Sequence, residues 1–134
     1  MVNREAFTAG ILPGAPAADA PIEADGEPTW LLRCLGPDRS GLYFVNPDGS
    51  IGDADRAVLE ALAESGLKLM VLLPPYCPFV GEAARGRFLD QAGIAAERYD
   101  AQPGTFYLIG PDRRVIGRWR RLALPAIHSA ILAD

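Results

Sequence analysis

The stretch Pro103–Arg121, PGTFYLIGPDRRVIGRWRR, decides the fold. Proline and glycine stop whatever precedes it, and aromatic and β-branched residues then fill two short runs. These runs predict strands over Thr105–Ile109 and Val115–Arg121. The turn falls at Gly110–Pro111–Asp112–Arg113, and a last short helix is expected at about Leu124–Leu132. The chain thus ends as an antiparallel hairpin followed by a helix.

Upstream, Leu42–Val45 (LYFV) and Leu67–Leu73 (LKLMVLL) are continuously apolar, as strands buried on both faces are. Between them, Asp53 is a candidate N-cap. Ala54, Val58, Ala61 and Leu62 mark one helical face, and Gly66 is placed to stop the helix at C′. A strand–helix–strand unit of this length favours a parallel pair. Pro74, Pro75 and Pro78 stiffen the next loop. Gly81–Ala92 reads as a second helix with Ala84 and Phe88 inward, and residues 93–104 as an irregular link. Pro13, Pro16, Pro21 and Pro28 make the first 28 residues extended rather than helical. Trp30–Leu35 (WLLRCL) reads either as one or two helical turns or as an edge strand. The predicted order is β-α-β-α-β-β-α behind an extended N-terminal lead segment, an α/β fold. Residues 1–36 form the lead and residues 37–134 the core of one folding unit.

The bulk properties narrow the function classes. A chain of 134 residues can bury a real core, and 49% apolar with 22% charged residues is ordinary for a globular domain. Residues 1–64 hold 11 acids and 4 bases (−7), residues 65–134 hold 6 acids and 9 bases (+3), and the net charge is −4. This modest balance points away from nucleic acid. Arg113, Arg114, Arg118, Arg120 and Arg121 alternate along the hairpin and are expected to form a solvated face. No apolar run approaches a membrane span of roughly 20 residues, and the start, MVNREAFTAGILPG, has no long apolar signal core. Two cysteines without a disulfide framework suit a reducing cytoplasm. One lysine against twelve arginines, with abundant Ala, Gly and Pro, is associated with a GC-rich bacterial genome.

Three stretches carry a resemblance. Pro13–Gly14–Ala15–Pro16–Ala17–Ala18–Asp19–Ala20–Pro21–Ile22 opens the chain. Trp30–Leu31–Leu32 with Leu35–Gly36 follows. Tyr107–Leu108–Ile109–Gly110–Pro111–Asp112 with Val115 and Arg118–Trp119–Arg120 closes it. In this order they resemble the thioredoxin-like C-terminal domain of FAD-dependent aromatic hydroxylases of the phenol hydroxylase and 3-hydroxyphenylpropionate hydroxylase type. Arg33–Cys34, Gly110 and Arg113 depart from that pattern. The resemblance implies a thioredoxin-like fold that is catalytically silent and serves packing and subunit association. It implies a homodimer or a flavoprotein monooxygenase subunit as partner, and FAD only through that partner. No G-x-G-x-x-G is present to cradle a dinucleotide, so no cofactor is expected on this chain.

In thioredoxin-like folds the redox dithiol follows the first core strand, where a helix N-terminus lowers the thiol pKa. The equivalent stretch, Asn46–Asp53 (NPDGSIGD), has no cysteine. Thiol exchange of the thioredoxin type and peroxiredoxin chemistry both fail on that ground. The region of the missing dithiol is expected to comprise Asp48, Ser50, Asp53, Cys77, Pro103 and Thr105. Cys77 (in YCPF) is the one candidate nucleophile. It reads either as a one-cysteine thiol site or as a small apolar residue packed under Phe79 and Tyr76. A third reading is a small-molecule module with an apolar cleft bounded by Tyr76, Phe79 and Pro103. Cys34 sits in an apolar patch and is expected in the core, and a Cys34–Cys77 bridge stays open. The lone His128 has no ligand-spaced companions, so no metal is expected. Asp48, Asp53 and Asp55 fit turn and N-cap roles rather than a calcium loop. Trp30 and Trp119 are read as core or interface. The fold also raises a cis bond at Pro103, although Gly104 stands before Thr105.

Overall fold

The computed structural model describes residues 7–75 and 87–133. Seven strands form one mixed sheet in the order β2-β1-β5-β4-β3-β6-β7. The strands are β1 (Pro21–Ala24), β2 (Glu27–Trp30), β3 (Ser40–Phe44), β4 (Lys68–Leu73), β5 (Arg87–Leu89), β6 (Phe106–Ile109) and β7 (Val115–Trp119). The helices are α1 (Asp53–Glu64), α2 (Ile94–Arg98) and α3 (Leu124–Ala133).

At the centre, β3 and β4 run parallel with Leu42 opposite Met70. β6 lies antiparallel on the other side of β3, with Leu42 opposite Tyr107. β7 closes that flank, its register slipping between Leu108 and Ile109. Alternate side chains on these strands point to opposite faces. Leu42, Phe44, Met70, Leu72, Tyr107 and Ile109 join one buried cluster. Tyr43, Val45, Leu73, Phe106 and Leu108 join another. α1, through Leu59 and Leu62, and α3, through Ile127, cover the second face. Ala95 of α2 with Phe7, Ala17, Ala20, Leu31 and Leu35 of the lead segment covers the first. A sheet covered on both faces explains the unbroken apolar runs at Leu42–Val45 and Leu67–Leu73.

Three departures from the expected elements have clear causes. First, the lead segment contains a hairpin. Asp25 and Gly26 both adopt positive φ, 54° and 79°, as a two-residue turn between right-twisted strands requires. Trp30 ends the resulting edge strand, and Leu31–Cys34 makes a 3₁₀ turn, so Trp30–Leu35 is strand and turn in succession.

Second, the helix expected over Gly81–Ala92 does not extend through its later residues. Arg87–Leu89 is a strand between β4 and β1, and residues 90–93 form a bend. The four-residue spacing of Ala84 and Phe88 suggested a helix, but Phe88 pairs opposite Leu72 in the sheet. The second helix is Ile94–Arg98 instead, inside the stretch read as an irregular link. Residues 81–86 lie outside the described residues.

Third, Asp53 is the first residue of α1 and Gly52 is its N-cap. Gly66, with φ 101°, follows the helix as expected.

Candidate functional site

The carboxyl ends of β3 and β4 open into a cleft of about 170 Å³. β3 contributes Phe44 and Val45, and Pro47 stands just beyond. β4 contributes Leu72 and Leu73, continued by Pro74 and Pro75. Asp90 and Ala96 form a third wall, and Ala101, Gln102 and Pro103 close the fourth. The described lining is predominantly apolar, and four of its residues are prolines.

Each wall is held by local bonding. Gln102–Thr105 is a hydrogen-bonded turn in which the Thr105 N–H donates to the Gln102 carbonyl at 2.9 Å. Gly104 takes φ 91°, so proline then glycine at the two central positions gives a type II turn. No peptide bond among the described residues is cis, and Pro103 is therefore trans. The type II turn, with Gly104 between Pro103 and the strand, has no need of a cis bond. The Gly104 N–H donates to the Phe44 carbonyl at 2.8 Å, which fastens the turn to the end of β3. Thr105 is wholly buried. Its Oγ1 accepts from the Gln102 N–H and from Arg120 Nη1, both at 2.9 Å.

Asp90 is almost fully buried. Its two carboxylate oxygens accept from the backbone N–H of Ala95 at 3.0 Å and of Ala96 at 2.9 Å. The side chain thereby caps the first turn of α2, four residues before the helix begins. The sequence reading overlooked Asp90, and the only signal available was an acid shortly ahead of an Ile-Ala-Ala-Glu run.

The stretch on the other side of the cleft mouth is a closed turn. Asp48 Oδ1 accepts from Ser50 N–H at 2.9 Å and from Ser50 Oγ at 2.6 Å. These two bonds, the hydroxyl foremost, hold the Asp48 carboxyl below its usual range. Asp55, in the first turn of α1, accepts from the Tyr43 hydroxyl at 2.6 Å. Burial chiefly, and then this bond, push the Tyr43 phenol well above its ordinary value. The three carboxylates of this loop thus point to separate partners or positions. Among the described residues, no three His, Cys, Asp or Glu side chains converge as metal ligands would.

Of the residues expected around the missing dithiol, Pro103 lines the cleft and Thr105 lies buried behind it. Asp48 and Ser50 belong to the exposed turn, and Asp53 to the start of α1. Cys77, Tyr76 and Phe79 lie outside the described residues. Cys34 is half-buried against the larger cluster. His128 on α3 is partly buried, and its Nε2 is enclosed without a hydrogen-bond partner. Trp119 is core at 8% exposure, whereas Trp30 is 46% exposed on the outer strand.

The arginines of the hairpin are not merely solvated. Arg113, Arg114 and Arg118 donate to the backbone carbonyls of Leu32, Gly14 and Ala9 at 2.8, 3.1 and 2.9 Å. Arg120 forms an ion pair with Asp100 at 2.9 Å. The guanidinium groups of Arg118 and Arg120 lie 4.3 and 3.9 Å from the centre of the Phe7 ring. These side chains fasten the lead segment to the sheet. Arg113 and Arg114 precede β7 and Arg120 follows Trp119, and the carbonyls bonded by Arg113, Arg114 and Arg118 are tens of residues away in sequence.

No protein-family model and no curated protein matches the chain. Solved structures do. A thioredoxin-like protein from Aeropyrum pernix is 14% identical with a TM-score of 0.64, and the match covers 85% of this chain and 88% of that one. The fold is thioredoxin-like. The flavin-dependent monooxygenase PieE is 22% identical with a TM-score of 0.63 over 95% of this chain and 21% of its own. Aklavinone-11 hydroxylase is 18% identical with a TM-score of 0.54 over 87% of this chain and 20% of its own. The chain thus spans about a fifth of the length of each of these two enzymes.

Proposed function

We propose that this chain is a non-catalytic thioredoxin-like accessory module that acts in subunit association, on a flavoprotein monooxygenase subunit or on a second copy of itself. One observation carries the reading: nearly the whole chain superimposes on a fifth of a flavin-dependent monooxygenase. The appended part of such an enzyme need not touch the reacting atoms. In this reading flavin belongs to the partner and the setting is the cytoplasm. Thiol exchange at the Asn46–Asp53 stretch is ruled out by its chemistry, since no sulfur is there to form a thiolate.

The test is sedimentation velocity of the purified chain, alone and after co-expression with the flavin monooxygenases of its own host. Co-sedimentation with flavin absorbance, or a concentration-dependent dimer, is expected. A strict monomer that carries no flavoprotein overturns the proposal. Insulin-disulfide turnover that disappears in Cys77→Ala would instead establish the one-cysteine thiol enzyme.

A further inference from the structure

We infer that the cleft at the ends of β3 and β4 is a binding site for a small, uncharged, single-ring apolar molecule, and that it rejects both extended peptide and carboxylate ligands. This stands independently of the association proposed above.

The argument rests on what the walls can donate. Among the backbone groups lining the cleft, the N–H of Phe44 bonds the Thr105 carbonyl and that of Val45 the Leu72 carbonyl. The N–H of Asp90 bonds Leu73, and that of Ala101 bonds Ala96. Gln102 N–H is taken by Thr105 Oγ1, and Ala96 N–H by the Asp90 carboxylate. Leu72 and Leu73 lie within the strand ladder. Pro47, Pro74, Pro75 and Pro103 have no N–H at all. The one carboxylate among the described lining residues, Asp90, is already engaged at both oxygens by α2. An extended peptide laid here would leave its own carbonyl groups without a backbone donor among the described residues, and such groups are costly to desolvate unpaired. A carboxylate would fare worse, since no cation stands among the described lining residues.

Size and stiffness complete the specification. A dry apolar cavity of roughly 150 Å³ is known to hold a benzene ring, and this cleft measures about 170 Å³. Its rim is built from proline rings with fixed φ, together with Phe44 and three aliphatic side chains. Little side-chain freedom is lost when such a rim closes on a ligand, so the site is formed in advance.

The experiment is a titration of the full chain with toluene, and separately with benzoate, followed by methyl resonances. Saturable shifts with toluene, confined to Val45, Leu72 and Leu73, are expected. Benzoate should bind at least about a hundredfold more weakly, because its charge finds no partner. Ala101→Phe, which fills the cleft, should abolish the saturable shifts while the resonances of Leu59, Leu62 and Ile127, which do not line the cleft, stay in place. Shifts that extend to Leu59, Leu62 and Ile127, a linear response without saturation, or benzoate binding as well as toluene would each overturn the proposal. If Ala101→Phe does not fold, Ala96→Leu serves as the filling variant, and toluene against benzoate on the unaltered chain decides the matter without either.

Discussion

At the residue scale, the buried Asp90 and the partly exposed Asp100 have distinct stabilising roles. Asp90 satisfies two N–H groups of α2 that would otherwise be orphaned. Asp90→Ala should cost about 1–2 kcal/mol, the range for losing a helix cap, read as a lower urea midpoint with an unchanged slope. Asp100 adopts φ 49° and accepts from the N–H of Thr8 and Ala9 at 3.1 and 3.2 Å. Desolvation raises its pKa, but the N–H bonds of Thr8 and Ala9 and then Arg120 together outweigh it and leave it lowered. A carboxyl depressed on folding stabilises above its unfolded value of about 3.9, and that contribution is lost as pH falls through the folded value. Asp100→Asn should therefore flatten the acid limb of the stability–pH curve. An unchanged limb would remove Asp100 from the account. Tyr43 has the opposite sign at the alkaline end. Its raised phenol pKa means stability that is present below about 10 and lost as pH rises above it.

At the element scale, the crossing of β3 and β6 sets a steric limit. A Cβ at Gly41 would come within 2.6 Å of the Phe106 ring, which is fully buried. Gly41→Ala should destabilise by about 1–3 kcal/mol, the usual penalty for overpacking, in thermal or denaturant unfolding. The edge strand β2 carries Pro28, whose missing N–H blunts the edge against strand addition. Ahead of the hairpin, residues 7–18 of the lead form a strap rather than a strand. Gly14 N–H donates to the Val115 carbonyl at 2.7 Å, and Ala17 N–H to the Arg113 carbonyl at 2.8 Å. Phe7 packs edge-on to Tyr107 with ring centres 6.0 Å apart, beneath the two arginines. Arg120→Ala should speed amide exchange over residues 7–18 severalfold and leave β3 and β4 protected. Equal acceleration in β3 and β4 would show that Arg120 supports the sheet instead.

At the scale of the whole molecule, the strap, the N-terminal hairpin and α2 share one buried cluster with the central sheet. Folding should therefore be a single cooperative step. Trp30 and Trp119 sit on opposite outer strands of the sheet. Trp30→Phe and Trp119→Phe leave one indole each, and the two fluorescence transitions should share a midpoint in denaturant once each variant's own stability change is measured by circular dichroism. A lower midpoint confined to the Trp30 probe would separate the hairpin from the sheet. Both faces of that sheet are covered by buried clusters, and the cleft at its end offers apolar surface in a concave shape.

What the sequence by itself determined is whatever depends on neighbours along the chain. The closing hairpin was legible because Gly110–Pro111–Asp112 separates two β-rich runs, and β3, α1 and β4 because burial on both faces leaves unbroken apolar strings. That the stretch Asn46–Asp53 holds no cysteine is written in the chain itself. The tertiary structure decided what depends on partners far apart. Phe88 has the spacing of a helix, yet Leu72 and Ala24 draw it into the sheet. The hairpin arginines look solvated until Gly14, Ala9 and Leu32 come beside them. The cleft exists only because turns at Pro47, Pro75 and Pro103 meet at one end of the sheet. The engagement of the described backbone donors around it is a property of hydrogen bonds that cross between elements, and no local pattern encodes that.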